Sequence, residues 1–194
     1  MALTLSDATF LLSETDPARL GPCAAELAFV GRSNVGKSTL LNALCGRELA
    51  RVSRTPGRTR TINVFLAGRD RWLVDLPGYG FAHGPAAEAA RWSGMLESYL
   101  AGRPSLRTVF ALVDAEVGPT KLDLQMLGWL KSRSLRWRAI ATKTDRVRPS
   151  RRQARRLEVA RGLGLAPADI GWVSASAGDG IRELRGEALA LLGG

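Results

Sequence analysis

The sequence has very little histidine and cysteine. His83 is the only histidine, so the chain cannot assemble a histidine-based metal cluster or a Ser-His-Asp triad. Cys23 and Cys45 are the only cysteines. Two cysteines are too few for a disulfide framework, and their spacing is not that of metal ligands. We therefore expect both thiols to be buried or to have no role.

Long apolar runs are also missing. No run approaches the ~20 residues that a membrane-spanning helix needs, and the first residues lack the basic start of a signal peptide. The 194 residues, 45% hydrophobic and 24% charged, suit one soluble domain with a sizeable core. We expect a cytoplasmic protein that is a monomer and has no membrane partner.

Acidic residues are fewer than basic ones, 18 against 28, which leaves a net charge of +10. Such a balance favours contact with a polyanion. Only four of the basic residues are lysines, and arginine suits phosphate and RNA contact. A genome-wide codon bias would give the same excess, so both explanations stay open. The same two explanations apply to a crowded basic segment: Arg146, Arg148, Arg151, Arg152, Arg155, Arg156 and Arg161.

The stretch Gly31–Ser38 fits G-x-x-x-x-G-K-[ST], the pattern of phosphate-binding P-loops. An apolar run typical of a buried strand precedes it, and a helix-like segment follows. Gly31 and Gly36 permit backbone angles and close approaches that a side chain would block, so loop amides can point at phosphate oxygens. The pattern places Lys37 at the β- and γ-phosphates and the Ser38 hydroxyl on a magnesium ion.

Strand-like and helix-like segments alternate along the rest of the chain. The run at 108–113 is typical of a parallel strand buried on both faces. Residues 61–66 and 72–76 are typical of an antiparallel hairpin, and residues 1 to about 22 of a leader strand or arm. We predict an α/β fold with a mostly parallel, six-stranded sheet and one antiparallel edge strand.

Polar residues follow the predicted strands at the edge where ligands bind in such sheets. Asp75 ends a strand and is placed to hold magnesium through water, while the Thr59 hydroxyl is a candidate ligand of the same ion. Gly78 can offer its amide to a γ-phosphate. Turn chemistry or capping is an alternative for each residue alone, but together they favour a phosphate-sensing switch.

The segment Thr142–Asp145, with the sequence TKTD, is the candidate for reading a base. The Asp145 carboxylate can accept two hydrogen bonds from N1 and N2 of guanine, a donor pair that adenine lacks. The stem of Lys143 can lie flat against the base. The segment 174–176 follows the last strand and can supply a backbone amide to guanine O6.

Together the segments GRSNVGKS, TPGRT, DLPGYGFA, TKTD and SAS resemble the EngB (YihA/YsxC) family of bacterial GTPases, in the translation-factor-related class. The resemblance implies a three-layer, Ras-like GTPase domain at residues 23–194, preceded by an N-terminal extension at residues 1–22. It implies binding of GTP and GDP with magnesium, and a role in assembling the large ribosomal subunit through contact with that subunit or its RNA. It also implies a requirement for normal cell division and septation.

The resemblance assigns nucleotide-binding roles to the P-loop, two switches, the TKTD motif and the loop after the last strand. It makes Ser38 and Thr59 the magnesium ligands. Thr142 is shorter than the asparagine usual at its position, so we expect one hydrogen bond to be lost or remade through water. The residues assigned to nucleotide binding are Gly31, Arg32, Ser33, Asn34, Val35, Gly36, Lys37, Ser38, Gly57, Arg58, Thr59, Arg60, Thr61, Asp75, Leu76, Pro77, Gly78, Thr142, Lys143, Thr144, Asp145, Val173, Ser174 and Ala175.

No catalytic side chain is assigned. Ras-type GTPases place a glutamine after D-x-x-G to orient the attacking water, whereas this chain has Tyr79, a poor base at neutral pH. Some relatives use a potassium ion bound partly by an asparagine at the position of Asn34. We expect slow hydrolysis that a monovalent cation or the ribosome accelerates. The alternative is a P-loop ATPase or kinase in which TKTD is an accident.

Overall fold

The computed structural model describes residues 3–50, 61–79 and 86–193, with the backbone alone at 86–93. None of the helices in these ranges is long and apolar enough to cross a membrane. Strands and helices follow one another as β1 (Thr9–Glu14), β2 (Ala25–Gly31), α1 (Lys37–Cys45), β3 (Ile62–Ala67), β4 (Arg71–Asp75), α2 (Ala86–Gly102), β5 (Leu106–Asp114), α3 (Lys121–Ser132), β6 (Trp137–Thr142), α4 (Arg152–Leu163), β7 (Ile170–Trp172) and α5 (Ile181–Gly193).

The strands form one sheet in the order β1-β3-β4-β2-β5-β6-β7. Strands β4, β2, β5, β6 and β7 are parallel, and β3 runs against both β4 and β1. The α/β class and the mostly parallel sheet are as predicted. The sheet has seven strands rather than six, because the leader forms β1 and pairs with β3. Strand β3 therefore lies inside the sheet, and the edge position belongs to β1.

Both faces of the sheet are covered, which explains the near-continuous apolar strands. In β2, Ala28 and Val30 pack on the side of α3 and α4, while Leu27 and Phe29 pack on the side of α1 and α5. Phe29 meets Phe110 of β5 edge to face, with ring centroids 5.4 Å apart. The helices thus form two outer layers on a central sheet.

The two cysteines are free thiols: Cys23 lies just before β2, and Cys45 is the last residue of α1. Burial raises the pKa of Cys23 to about 12 and that of Cys45 to about 11. Both thiols are therefore protonated at neutral pH, when neither is a good nucleophile.

A buried carboxylate lies at the end of the parallel strands farthest from the P-loop, where it accepts several hydrogen bonds. Glu26 of β2 is fully buried and accepts hydrogen bonds from Tyr99, Ser105 and the Arg103 guanidinium, whose Nε lies 2.8 Å from Glu26 Oε1. Burial by itself would raise the pKa of Glu26, but these donors outweigh it and leave the pKa lowered. The charged form of Glu26 therefore stabilises the fold.

Glu26→Gln is expected to reduce the free energy of unfolding at pH 7 by about 3 kcal/mol, because the half-buried Arg103 loses its counter-charge. The lowered pKa means that this stabilisation is present above pH ~4.5 and is lost as pH falls through the folded-state value. Urea unfolding at pH 7 and pH 3.5 should show the difference between wild type and variant shrinking in acid. The exposed Glu48→Gln, as control, should stay within about 0.5 kcal/mol of wild type.

Candidate functional site

The P-loop is the turn between β2 and α1, and its shape depends on two glycines. A Cβ atom at Gly31 would lie 2.7 Å from Val35 Cγ1 and 3.0 Å from the carbonyl oxygen of Leu112. Gly36 has φ +104°, a left-handed conformation that other residues rarely adopt. Asn34 is also left-handed, with φ +64°. The loop therefore closes tightly against β5 before α1 begins.

Three polar side chains meet below the loop, of which Lys37 and Asp75 are buried and Ser38 is half-buried. Lys37 Nζ donates to the Gly31 carbonyl at 3.3 Å, and Ser38 Oγ donates to Asp75 Oδ2 at 2.9 Å. Burial lowers the pKa of Lys37, and the charge of Asp75 opposes that shift. Burial likewise raises the pKa of Asp75, opposed by Lys37 and the Ser38 hydroxyl. The two charges are thus held near each other in a poorly solvated place.

One oxygen of this cluster fits a magnesium ion. Asp75 Oδ1 is buried and has no hydrogen-bond partner among the described residues. A buried carboxylate oxygen without a donor is costly, and hydroxyl and carboxylate oxygens are the ligands that magnesium prefers, directly or through water. The Ser38 hydroxyl and Asp75 lie together where such an ion would satisfy both.

The predicted second switch, residues 75–78, ends against the P-loop. A Cβ atom at Gly78 would come within 2.8 Å of the Ser33 nitrogen and 3.0 Å of Lys37 Nζ, so only glycine fits there. The next residue, Tyr79, is buried, and its hydroxyl donates to Asp123 of α3 at 2.9 Å. Burial raises the pKa of Tyr79, and the neighbouring Asp123 adds to the shift. Tyr79 is therefore not available as a base.

A cavity of about 170 Å³ opens beside the P-loop, lined by Gly36, Thr39 and Leu40 on one side. Its other side is lined by Thr142, Lys143, Asp145, Arg146, Val173, Ala175 and Ser176. Asp145 Oδ1 accepts from Ser174 Oγ at 2.6 Å, and this bond lowers the pKa of Asp145. The carboxylate is therefore charged at neutral pH and borders the cavity.

The base-side loop is attached directly to the P-loop. Thr142 Oγ1 lies 2.7 Å from the Val35 carbonyl oxygen, so the short side chain reaches the loop without a bridging water. Lys143 Nζ donates to the Asn34 carbonyl at 2.7 Å and pairs with Asp114 Oδ2 at 2.7 Å. The phosphate and base sides of the site are therefore held at a set distance.

The structure brings most of the predicted residues to this one edge of the sheet. Leu76 is buried, with its amide bonded to Phe29, and Thr144 donates its amide to the Val173 carbonyl. Thr61 lies just before β3 and bonds Asn63. Four residues of the predicted first switch fall outside the described residues: Gly57, Arg58, Thr59 and Arg60.

Two acidic residues of the site were not anticipated. Asp114 ends β5 and pairs with Lys143, a position recognisable as a polar residue at the carboxyl end of a buried strand. Asp123 forms a capping box with Thr120 at the start of α3. The spacing T-x-x-D announces such a box, but its contact with Tyr79 depends on the tertiary fold.

A family model and the similar proteins all indicate the same family of GTPases. A family model described as 50S ribosome-binding GTPase matches residues 26–143. A probable GTP-binding protein EngB from Roseobacter denitrificans is 44% identical over 88% of this chain and 78% of its own length. The chain belongs to the EngB family. A probable EngB from Geobacter metallireducens is 42% identical over 94% of this chain and 90% of its own length. One from Thermotoga maritima is 44% identical over 84% of each chain.

Solved structures share the fold. A crystal structure of a probable EngB superposes with a TM-score of 0.68 at 22% identity, covering 87% of this chain and 98% of that one. Era, solved with MgGDPNP and nucleotides 1506–1542 of 16S ribosomal RNA, gives a TM-score of 0.68 at 22% identity. The superposition covers 89% of this chain and 58% of the Era chain. The predicted EngB resemblance and Ras-like fold are confirmed. As an EngB-family member, the chain is a GTP-binding GTPase.

Proposed function

We propose that this GTPase is a nucleotide-controlled factor for assembly of the large ribosomal subunit. Cell division and septation would then depend on it through the supply of ribosomes, in the cytoplasm. The observation that carries the proposal is the joined pair of sites, a P-loop and a base cavity linked by Thr142 and Lys143, in a chain that a model of 50S ribosome-binding GTPases matches.

The phosphate side is assigned to residues Gly31–Ser38, with Lys37 as the cation for the β- and γ-phosphates. Ser38 and Thr59 are the proposed magnesium ligands, and Asp75 holds the ion through water. Support comes from the unpartnered Asp75 oxygen beside the Ser38 hydroxyl. When bound, magnesium neutralises charge that develops on the phosphate oxygens. The amide of Gly78, which lies close to Lys37, is assigned to the γ-phosphate.

The base side is assigned to Thr142–Asp145 and Val173–Ala175. A charged Asp145, held by Ser174, accepts from guanine N1 and N2, and the backbone of the 173–175 segment donates to O6. Adenine offers no matching donors at these positions. This assignment distinguishes a GTPase from the P-loop ATPase or kinase that the motif alone would permit.

Asp145→Asn is expected to weaken GDP binding about 100-fold, because two hydrogen bonds to a charged acceptor are lost. The same variant should gain affinity for XDP, whose C2 carbonyl can accept from the new amide. Titrations of GDP, ADP and XDP measure both effects, with Asp179→Asn, outside the cavity lining, as a charge-matched control. Unaltered GDP and XDP affinities in the Asp145 variant would contradict the assignment.

Hydrolysis is proposed to need help from outside the described side chains. Tyr79 stands where Ras-type GTPases have glutamine, and its buried hydroxyl is committed to Asp123. Asn34 is exposed in the P-loop, and its side chain makes no hydrogen bond within the described ranges. We therefore propose Asn34 as one ligand of a potassium ion, with the ribosome as a second possible activator.

GTP hydrolysis is expected to be about tenfold faster in potassium than in sodium at equal ionic strength. Asn34→Gly should abolish the difference while keeping the left-handed backbone that alanine would strain. Phosphate release in the two salts, measured for both proteins, checks this. Equal wild-type rates would remove the potassium site.

The basic segment around α4 is the proposed contact with RNA, but two of its arginines are paired with the same carboxylate. Arg155 Nε donates to the Ala115 carbonyl at 2.7 Å, and Arg151 and Arg155 both pair with Glu158. These two arginines serve the fold. Five exposed arginines of the segment remain, and three of them at four-residue spacing are called here the α4 arginine row: Arg148, Arg152 and Arg156.

The surroundings of the α4 arginine row suggest how RNA would lie on it. Arg156 stacks over Trp172, 5.3 Å from the ring centroid, which holds its guanidinium in place. A cavity of about 640 Å³ separates α4 from α5, and the α5 side carries Glu183 and Glu187. Phosphates are repelled from that side, so we propose that the RNA backbone follows the α4 side.

Replacing the whole α4 arginine row with glutamine is expected to weaken binding to ribosomal subunits and to lower the slope of log K against log salt by about 2 to 3, since each lost phosphate contact removes about 0.7–0.9. GDP affinity should not change. The matched control replaces three exposed arginines elsewhere: Arg19, Arg69 and Arg133. Sedimentation with subunits across a salt series measures the slope, and equal slopes for the two triple variants would refute the surface.

A further inference from the structure

Three parts of the molecule converge on one carboxylate. Asp123 of α3 is fully buried, and its Oδ1 accepts from the Tyr79 hydroxyl at 2.9 Å. Its Oδ2 accepts from the Thr120 amide and hydroxyl, both at 2.7 Å, and lies 3.3 Å from Arg32 Nε. The P-loop, through Arg32, and the second switch, through Tyr79, are thereby joined to α3 at a single point.

The backbone strengthens this junction. The Tyr79 amide donates to the Gly31 carbonyl at 3.2 Å, and the Ser33 amide donates to the Tyr79 carbonyl at 3.1 Å. Arg32 and Tyr79 thus form a parallel bridge beyond the end of the sheet. Tyr79 is thus fastened to the P-loop by two main-chain bonds and to α3 by its side chain.

These contacts cover groups that a P-loop uses for phosphate. The Ser33 amide is bonded to Tyr79, and Gly78 lies so close to Lys37 that a single added Cβ atom would meet Nζ at 3.0 Å. A third phosphoryl group beside Lys37 needs residues 78–79 to shift away from the Ser33 amide and from Lys37 before the Gly78 amide can turn to it. GDP lacks that group and leaves residues 78–79 in place.

We propose that Tyr79 and Asp123 set the relative affinity of this site for GDP and GTP, by holding residues 78–79 against the P-loop until a γ-phosphate shifts them. The proposal rests on the phosphate-binding role proposed for Gly31–Ser38. Tyr79 and Asp123 are positioning residues in it, since they act on nucleotide choice through the backbone of Gly78 and Ser33 rather than by touching phosphate.

The expected size of the effect follows from populations. If GTP binds only the opened form, its apparent dissociation constant is the intrinsic one divided by the opened fraction. GDP binds the closed form and is not affected. Weakening the closed form raises the opened fraction, so the ratio of GTP to GDP affinity rises while GDP affinity itself stays the same.

Tyr79→Phe removes only the hydroxyl that bonds Asp123. Loss of one buried hydrogen bond to a charged acceptor corresponds to a change of about tenfold. Affinity for a non-hydrolysable GTP analogue, relative to GDP, should therefore rise about tenfold in magnesium. The matched control is Tyr99→Phe, which removes the same kind of buried hydroxyl–carboxylate bond, to Glu26, at the other edge of the sheet. It should leave the ratio at the wild-type value.

A measurement on the wild type makes the test independent of how the variant folds. The Tyr79 amide, bonded to Gly31, should exchange its hydrogen slowly with GDP bound and at least about tenfold faster with the GTP analogue. An unchanged affinity ratio in Tyr79→Phe, an equal loss of both affinities, or equal protection of the Tyr79 amide in both complexes would each overturn the proposal. A wild type that binds no guanine nucleotide would overturn the proposed function as well.

Discussion

Two side chains at the end of β6 hold two carbonyl groups of the P-loop, and the whole nucleotide site depends on these bonds. The Thr142 hydroxyl is 2.7 Å from the Val35 oxygen, and the Lys143 ammonium is 2.7 Å from the Asn34 oxygen. A nucleotide has a fixed separation between base and phosphates, so a site for it needs two loops at a fixed separation. Side-chain bonds to backbone supply that separation here, and the parallel strands beneath supply the common edge.

Buried carboxylates at the two ends of the parallel strands play different roles. Glu26 is surrounded by donors and is a settled part of the fold. Asp75 keeps one oxygen without a partner among the described residues, and Asp123 shares its oxygens among three segments. A satisfied charge rigidifies its surroundings, whereas an unsatisfied or shared one leaves room for a change of partner. The partners of Glu26 are therefore fixed at one end of the strands, whereas those of Asp75 and Asp123 can change at the P-loop end.

Local patterns in the sequence suffice for the α/β class, the P-loop and the TKTD motif, because each depends on residues close together in the chain. The seventh strand is a different case: β1 pairs with a strand about fifty residues away, and its register follows from that partner. Arg155 looks like surface charge in the sequence and becomes a donor to the carbonyl of Ala115 in the fold. Likewise, T-x-x-D predicts a cap at Asp123 but not its contact with Tyr79.

The bond from Thr142 to the P-loop spans 107 residues of sequence, and the Asp145–Ser174 pair lies farther along still. A chain emerging during synthesis presents its P-loop early, yet it has no base cavity until the segment after β7 has also emerged. The two sides of the site thus come together only in a chain that includes the segment after β7. Since a ligand stabilises only the state that binds it, a nucleotide that touches both sides of the site would stabilise chains that include this segment more than chains that end before it.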